Sequence, residues 1–163
     1  MRTEHTCYFR RVLWTSILDV VRADSRVRGL RRIPLFAGSS RRELRRAADL
    51  CRETTAPAGR ILVAEGAIAS DFFVITGGTA QVSRGGSPLS VLTAGDFFGE
   101  ISLVAAVPRT ATVTAITELE LLVIAQRHFP RLLTEQPHLA ERIQSQLVRR
   151  LADDASRGGG VAE

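Results

Sequence analysis

Between residues 60 and 125 the sequence alternates short apolar runs with turn residues, and this alternation constrains the fold more than any other feature. The runs are ILVAE, DFFVI, AQVSR, LSVL, TATVTAI and ELELLVI. Turn residues separate them, most clearly Gly66, the pair Gly77-Gly78, and the run Gly85-Gly86-Ser87-Pro88, which we expect to be a turn and nothing more. Short strands at intervals of roughly eight to twelve residues predict an antiparallel sandwich or jelly roll.

The periodicity is helical on both sides of this β-region. Apolar residues recur at helical spacing in residues 8–22, in a short segment from Phe129, and from Leu139 to Leu151. Residues 23–30 are charged and contain Gly29, so we expect a joint there. The predicted order is helices, β-roll, helices.

A further helix is expected just before the β-region. Ser39 or Ser40 can accept hydrogen bonds from its free N–H groups, and Glu43 stands early in it. One side of this helix carries apolar residues, namely Leu44, Ala47, Ala48 and Cys51. Pro57 and Gly59 are expected to end the segment, so that the first strand begins only after Arg60.

The net charge of +5 is unevenly distributed along the chain. Residues 1–60 hold 14 arginines and 6 acidic residues, whereas residues 61–163 hold 8 arginines and 11 acidic residues. A basic first third could contact nucleic acid or acidic lipid. A solvated arginine-rich helical face is the favoured interpretation, because no helix-turn-helix pattern accompanies the charge.

Cysteine, histidine and hydropathy patterns narrow the class of protein. Cys7 and Cys51 have neither metal-ligand nor redox spacing, so we expect two reduced thiols in a cytoplasmic protein. No apolar run approaches the roughly 18–20 residues that span a bilayer, so no membrane contact is expected. The histidines (5, 128 and 138) are scattered, and we expect no metal site.

The stretch FGEISLVAAVPRTATV, from Phe98 to Val113, combines residue types that suit a phosphorylated sugar. A helical turn from about Gly99 would present free backbone N–H groups to an anion. Arg109 offers a planar fork of donors for two phosphate oxygens, and Glu100 can accept from a sugar hydroxyl. In the alternative interpretation, Glu100 and Arg109 form a loop ion pair, which contributes only about 0–1 kcal/mol when exposed.

This stretch closely resembles the phosphate-binding cassette of the cyclic nucleotide-binding domain family. IPLFAGSSRREL is similar to the family's entry helix, and VAEGAIASDFFVITGGTAQV to its first strands. HFPRLLTEQPHLAERIQSQLVRRL resembles its closing helices, particularly those of bacterial Crp/Fnr regulators. The resemblance covers residues 33–151 and implies a mainly β fold: an antiparallel β-roll, of the jelly-roll kind, with helices at both ends.

The resemblance also implies domain boundaries and binding residues. We expect an N-terminal helical extension (1–28), a cyclic nucleotide-binding domain (29–152) and a flexible tail (153–163). Gly99 and Glu100 would hold the ribose hydroxyl, Arg109 the cyclic phosphate, and Thr110 the phosphate or the base. Ser102 would contribute its backbone N–H. The implied ligand-binding set is Gly99, Glu100, Ile101, Ser102, Arg109 and Thr110.

The implied function is that of a cyclic nucleotide sensor with no catalytic step and no cofactor. Cyclic AMP is the expected ligand and cyclic GMP the second choice. The signal would pass through the closing helices to an unidentified protein effector, and the last helix could form a homodimer. Specific DNA binding is not expected, since the family's recognition helix has no counterpart. The family's base-capping positions would fall near Asp154 and Ala155, which do not match its polar capping residues in an obvious way.

Two alternatives stay open at this point. The chain could be a fragment of a Crp/Fnr-type transcription regulator that contacts DNA through its basic N-terminal third. Such contact would be non-specific and would weaken steeply as the salt concentration rises. The chain could also be a β-roll that binds no ligand and serves only as a protein-interaction module.

Overall fold

The computed structural model describes residues 26–68 and 70–158. The helix predicted over residues 8–22 and the last residues of the predicted tail lie outside this range. Eight strands are seen in the described part: β1 (Cys51–Ala56), β2 (Ile61–Val63), β3 (Asp71–Gly77), β4 (Ala80–Arg84), β5 (Ser87–Leu92), β6 (Phe97–Phe98), β7 (Thr112–Ala115) and β8 (Leu119–Ala125).

The strands form two antiparallel four-stranded sheets. Their orders are β1-β8-β3-β6 and β2-β7-β4-β5, so strands distant in sequence lie side by side. This arrangement confirms the predicted β-roll with flanking helices. The helices of the described part are α1 (residues 26–32), α2 (Arg41–Leu50), α3 (Glu100–Ala105), α4 (Phe129–Glu135) and α5 (Pro137–Gly158). Short 3-10 turns occupy Pro34–Phe36 and Gln126–His128.

Strand β3 takes part in two hydrophobic cores, because successive side chains of a strand point to opposite faces. Phe73 and Ile75 pack inside the roll with residues of both sheets. Phe72 and Val74 pack outward against the helices. The first sheet therefore has two apolar faces, and the helices are held on the outer one.

The joint predicted over residues 23–30 is wrong for its described part. Residues 26–32 are helical, and Val27 and Leu30 are buried in the core that joins helices and sheet. Their spacing of three places both on one face of α1. The arginines around them concealed this short apolar stripe in the sequence.

Strand β1 was not predicted, since CRETTA is polar and follows a helix without a break. Cys51 begins this strand instead of completing the apolar side of α2. In the described structure β1 is an edge strand that pairs with β8. Arg52 and Glu53 point to opposite faces of this strand, yet both are exposed, so their charged side chains are tolerated at the sheet edge.

The segment Gly85–Pro88 is only partly the turn that its composition predicts. Gly85 and Gly86 have φ values of 54° and 81° and make the turn between β4 and β5. Strand β5 begins at Ser87, so Pro88 lies within it. Because β5 is an edge strand, a proline without an N–H group is compatible with this position.

Helix α2 is capped as the sequence predicts, and Ser40 rather than Ser39 is the cap. The Ser40 hydroxyl accepts from the Glu43 N–H at 3.3 Å, while the Glu43 carboxylate accepts from the Ser40 N–H at 2.6 Å. Ser39 donates its hydroxyl to Gln136 at 3.0 Å. The buried Gln136 also donates to the Glu43 carbonyl, tying α2 to the α4–α5 junction.

The predicted C-terminal helices are present as α4 and α5. Leu139 and Ile143 are buried, Leu147 is half-buried and Leu151 is exposed, so only the first turns of α5 are packed on their apolar side. The helix extends to Gly158, past the domain boundary predicted at residue 152. No helix in the described part is long and apolar enough to cross a membrane.

Candidate functional site

The site begins at Gly99, which precedes α3 in the left-handed conformation with φ of 92°. A Cβ atom at this position would stand 2.7 Å from Nη1 of Arg109 and 2.9 Å from the Asp71 carbonyl oxygen. Side chains rarely adopt this conformation, and here they would also collide with a buried guanidinium. Glycine is therefore required for both the turn and the close approach of Arg109.

The Arg109 guanidinium is buried and held by backbone carbonyls. The residue is 5% exposed, and its Nη1 and Nη2 groups donate to the Gly99 oxygen at 2.9 Å and the Asp71 oxygen at 2.6 Å. Burial lowers the pKa of Arg109, while Asp71 and Glu100 oppose this shift. Its backbone is fixed too, since Arg109 pairs with Gly66 and Ala67 through bonds of 2.8 Å. The arginine is thus a fixed cation that has little freedom to reorient.

Glu100, the first residue of α3, is completely buried. Its Oε1 accepts from Nη1 of Arg150 at 2.6 Å, whereas its Oε2 has no hydrogen-bond partner within the described residues. Burial raises the pKa of Glu100, and Arg150 and Arg109 oppose that shift. The loop ion pair considered as an alternative is not formed, because the salt-bridge partner of Glu100 is Arg150 and the hydrogen bonds of Arg109 go to carbonyls.

Arg150 is a site residue that the sequence analysis missed. It reaches from α5 to the cassette, where Nη2 donates to the Phe97 oxygen at 2.7 Å and the guanidinium lies 5.4 Å from the centre of the Phe97 ring. A signal was present in the sequence. Arg150 stands seven residues after the buried Ile143, hence on the same side of the helix. A charge on the packed side of a helix indicates a specific partner.

All six residues of the predicted binding set line one cleft between α3, the second sheet and α5. Together with the open solvent at its mouth, the cleft has a volume of about 790 Å³. One wall is apolar and includes Val82, Leu89 and Val113. The polar groups opposite include Arg150 and Asp153, neither of which was in the predicted set.

The hydroxyl residues of the cassette have different surroundings. Ser102 is buried, and its hydroxyl donates to the Pro108 oxygen at 3.3 Å, which closes the loop after α3. Thr110 lines the cleft, and its carbonyl accepts from Nε of Arg84 at 2.8 Å. Thr112 instead accepts from the Glu65 N–H at 3.0 Å. Of the two threonines, Thr110 is the one placed at the cleft.

This arrangement can hold an anion and an adjacent hydroxyl side by side. The N–H groups at the start of α3 and the guanidinium of Arg109 favour negative charge. The unpartnered oxygen of Glu100 can accept a hydrogen bond, and the apolar wall suits a flat ring. The fold and site together define a β-roll with a candidate small-ligand cleft beside a short helix and a buried arginine.

The chain belongs to the cyclic nucleotide-binding domain family. The family's sequence profile, described as "Cyclic nucleotide-binding domain", matches residues 53–136, about half of the chain. The match contains the whole cassette and the strands that carry it. This establishes the family that the sequence resemblance suggested.

Known relatives agree with this assignment. The chain is 32% identical over 155 residues, 93% of its length, to a cyclic nucleotide-gated potassium channel of Rhizobium etli. It is 36% identical over 105 residues, 64% of its length, to a cAMP-dependent protein kinase regulatory subunit of Eremothecium gossypii. The catabolite activator protein of Thermus thermophilus superposes with a TM-score of 0.68 at 26% identity, covering 76% of this chain and 61% of that one.

The chain spans only part of the curated relatives that it matches. The matches cover 42% of the potassium channel and 23% of the kinase regulatory subunit.

Proposed function

We propose that this domain binds a cyclic nucleotide in the cleft and regulates a partner without a catalytic step of its own. The observation that carries the proposal is the buried Oε2 atom of Glu100, which has no partner among the described residues although Arg109 is buried in the same cleft. An unsatisfied buried acceptor costs roughly 1–3 kcal/mol. A ribose hydroxyl next to a phosphate would satisfy it.

We assign the ligand groups to the cassette as follows. The cyclic phosphate lies against Arg109 and the N–H groups at the start of α3, including that of Ser102. Gly99 and Glu100 hold the ribose hydroxyl, and Thr110 faces the phosphate or the base. Ile101 completes the set. The common cleft supports this assignment, since it brings these residues together.

Cyclic AMP is the proposed ligand. Its relatives support this choice, among them the cAMP-dependent protein kinase regulatory subunit of Eremothecium gossypii. One observation favours cyclic GMP as a second candidate. Asp153 lines the cleft, and its carboxylate only accepts hydrogen bonds, which suits the paired N1–H and amino donors of guanine. Adenine offers its amino group alone.

We further propose that α5 transmits the binding signal to a protein effector. Arg150 joins this helix to Glu100, the residue assigned to the ribose. Ligand binding at Glu100 would therefore change the contacts that hold α5 in place.

The start of the functional domain is a separate proposal. Because α1 packs in the same core as α5, we propose that the domain begins with α1 and not at residue 29.

Isothermal titration calorimetry tests the binding proposal directly. We expect cyclic AMP to bind wild-type protein more tightly than cyclic GMP. R109Q should weaken binding by roughly tenfold or more per lost bond, because hydrogen bonds to charged groups contribute about 1.5–3 kcal/mol each. R127Q, which removes an exposed arginine elsewhere, is the matched control. Thermal denaturation of both variants verifies that they are folded.

A second titration addresses the role of Glu100. Wild-type protein should bind 2′-deoxy cyclic AMP more weakly than cyclic AMP, while E100A should no longer distinguish the two, as a double-mutant cycle measures. If wild-type protein shows no binding heat with either nucleotide at millimolar concentration, the proposed function is wrong. Equal discrimination by both proteins would refute only the assignment of Glu100.

A further inference from the structure

The helices α1 and α2 form a strongly basic surface that the nucleotide site does not use. Residues 26–46 contain eight arginines and one acidic residue, whereas the whole of residues 61–163 contains eight arginines. All eight are exposed: Arg26, Arg28, Arg31, Arg32, Arg41, Arg42, Arg45 and Arg46. A general preference for arginine over lysine explains the residue type but not this clustering.

The tertiary structure brings the two arginine-rich segments together. Val27 and Leu30 of α1 are buried in the same core as Leu44 of α2, so the two helices are packed on one side of the molecule. A groove lies between them. Arg28 and Arg31 line one side of it, and Ser39, Ser40 and Arg41 line the other. None of the described residues that line this groove also lines the nucleotide cleft.

Residues 26–46 carry eight arginines and one acidic residue, so their net charge is +7. Glu43 directs its carboxylate to the Ser40 N–H at 2.6 Å, as part of the helix cap. Glu53 lies 3.9 Å from Arg26, at the other end of α1. Because arginines outnumber acidic residues by seven in residues 26–46, the groove lies in a positive field, which attracts a partner with closely spaced negative charges.

We propose that this groove binds the phosphate backbone of nucleic acid without sequence preference. Arginine forks match phosphate oxygens bidentately, and phosphate contacts need no recognition helix. A lipid surface is the weaker candidate, because surfaces that bind membranes place large apolar side chains beside the basic ones. Within residues 26–52 no large apolar side chain is exposed.

Fluorescence anisotropy tests the proposal. The affinity of the full chain for a labelled DNA duplex of arbitrary sequence, roughly 20 base pairs long, is measured from about 50 to 200 mM sodium chloride. The triple variant R28Q/R31Q/R41Q should flatten the slope of log affinity against log salt by about 2.7, since each phosphate contact contributes about 0.9. Over that range of salt, the loss of three contacts amounts to roughly a fortyfold difference. A duplex of unrelated sequence should behave the same.

The control variant R60Q/R127Q/R149Q removes the same net charge from exposed positions outside the groove. Its slope of log affinity against log salt should differ from that of wild type by no more than about 0.9, the contribution of one phosphate contact. Equal loss in both variants would mean that only net charge matters, and would overturn the proposal. So would undetectable DNA binding at the lowest salt, or tighter binding to phosphatidylserine vesicles than to DNA at equal salt. Unchanged melting temperatures exclude misfolding, and none of these outcomes depends on nucleotide binding.

Discussion

At the scale of single residues, the cleft depends on two charges that neighbouring groups hold in place. Arg109 is fixed by two carbonyl oxygens and Glu100 by an arginine from another helix. The Glu100 carboxylate and the Arg109 guanidinium do not pair with each other, so both groups can interact with a ligand. Because these side chains are already ordered, the entropic cost of ligand binding is lower.

Gly99→Ala should damage this arrangement. The added Cβ would meet a backbone carbonyl and the Arg109 guanidinium at less than 3.0 Å. We expect a loss of stability beyond the roughly 1–2 kcal/mol of left-handed strain alone, and weaker nucleotide binding. Gly86→Ala is the control, because Gly86 has φ of 81° but no atom within 4 Å of its Cβ position. Equal melting temperatures for the two variants would contradict the argument.

The pH dependence of stability should reveal the buried carboxylate. Burial raises the pKa of Glu100, so its ionised form is less favourable in the folded state than in the unfolded state. The contribution of Glu100 to the free energy of unfolding is therefore fully present below the ordinary carboxyl pKa. It is lost as the pH rises through the raised pKa of the folded state. In urea denaturation, E100Q should gain stability relative to wild type as the pH increases.

Glu43 supplies the opposite case as a control. Its hydrogen bonds to the backbone and side chain of Ser40 lower the pKa of this carboxyl. The stabilisation from Glu43 is thus present above the ordinary pKa and is lost as the pH falls. E43Q should lose stability relative to wild type as the pH rises. The same sign for both variants would show that the pH effect does not come from these two sites.

At the scale of secondary-structure elements, α5 connects the cleft with the outer surface of the roll. Its first half is anchored by Leu139 and Ile143 in the helix core, and its second half by the salt bridge from Arg150 to Glu100. The Arg150 side chain is 23% exposed and Glu100 is fully buried. The second half is hence held mainly by polar contacts at the site where we place the ribose.

Hydrogen exchange should show this coupling. We expect amides of residues 138–152 to become more protected when cyclic AMP binds. R150A should reduce that protection and weaken binding by roughly tenfold or more, because it removes hydrogen bonds to a buried charge. R149A, at the exposed neighbouring position, should behave as wild type. Protection that changes only around residues 98–112 would mean that the ligand binds without moving α5.

At the scale of the whole molecule, α5 also has an apolar side that faces solvent. Val148 is 62% exposed and Leu151 is 50% exposed. Exposed apolar residues next to one another on a helix are typical of helix–helix contacts between subunits. They favour the homodimer that the sequence analysis expected through the last helix, and we propose that Val148 and Leu151 lie in its interface.

Sedimentation equilibrium tests this assembly. V148S/L151S should raise the dimer dissociation constant by about tenfold or more, since burial of each such side chain contributes about 1.5–3 kcal/mol. V91S/I116S changes two similarly exposed apolar residues on the roll and should leave the dimer intact. A monomeric wild-type protein at high concentration would refute the dimer.

The sequence alone determined the β-roll and the composition of the cassette, for a physical reason. Strands and turns are encoded by local alternation and by glycine, and the residues from Gly99 to Thr110 are close in the chain. Their positions relative to one another therefore depend on a single loop and a short helix. Periodicity likewise predicted α4, the start of α5, and the capped helix α2.

Only the tertiary structure decided the rest. Arg150 reaches Glu100 across 50 positions of sequence, and the Asp71 carbonyl reaches Arg109 across 38. Such contacts depend on how α5 and β3 pack, which local periodicity does not encode. The polar strand β1 is formed because β8 supplies its hydrogen bonds. Helix α1 is stable because two apolar residues find a core that the rest of the chain builds.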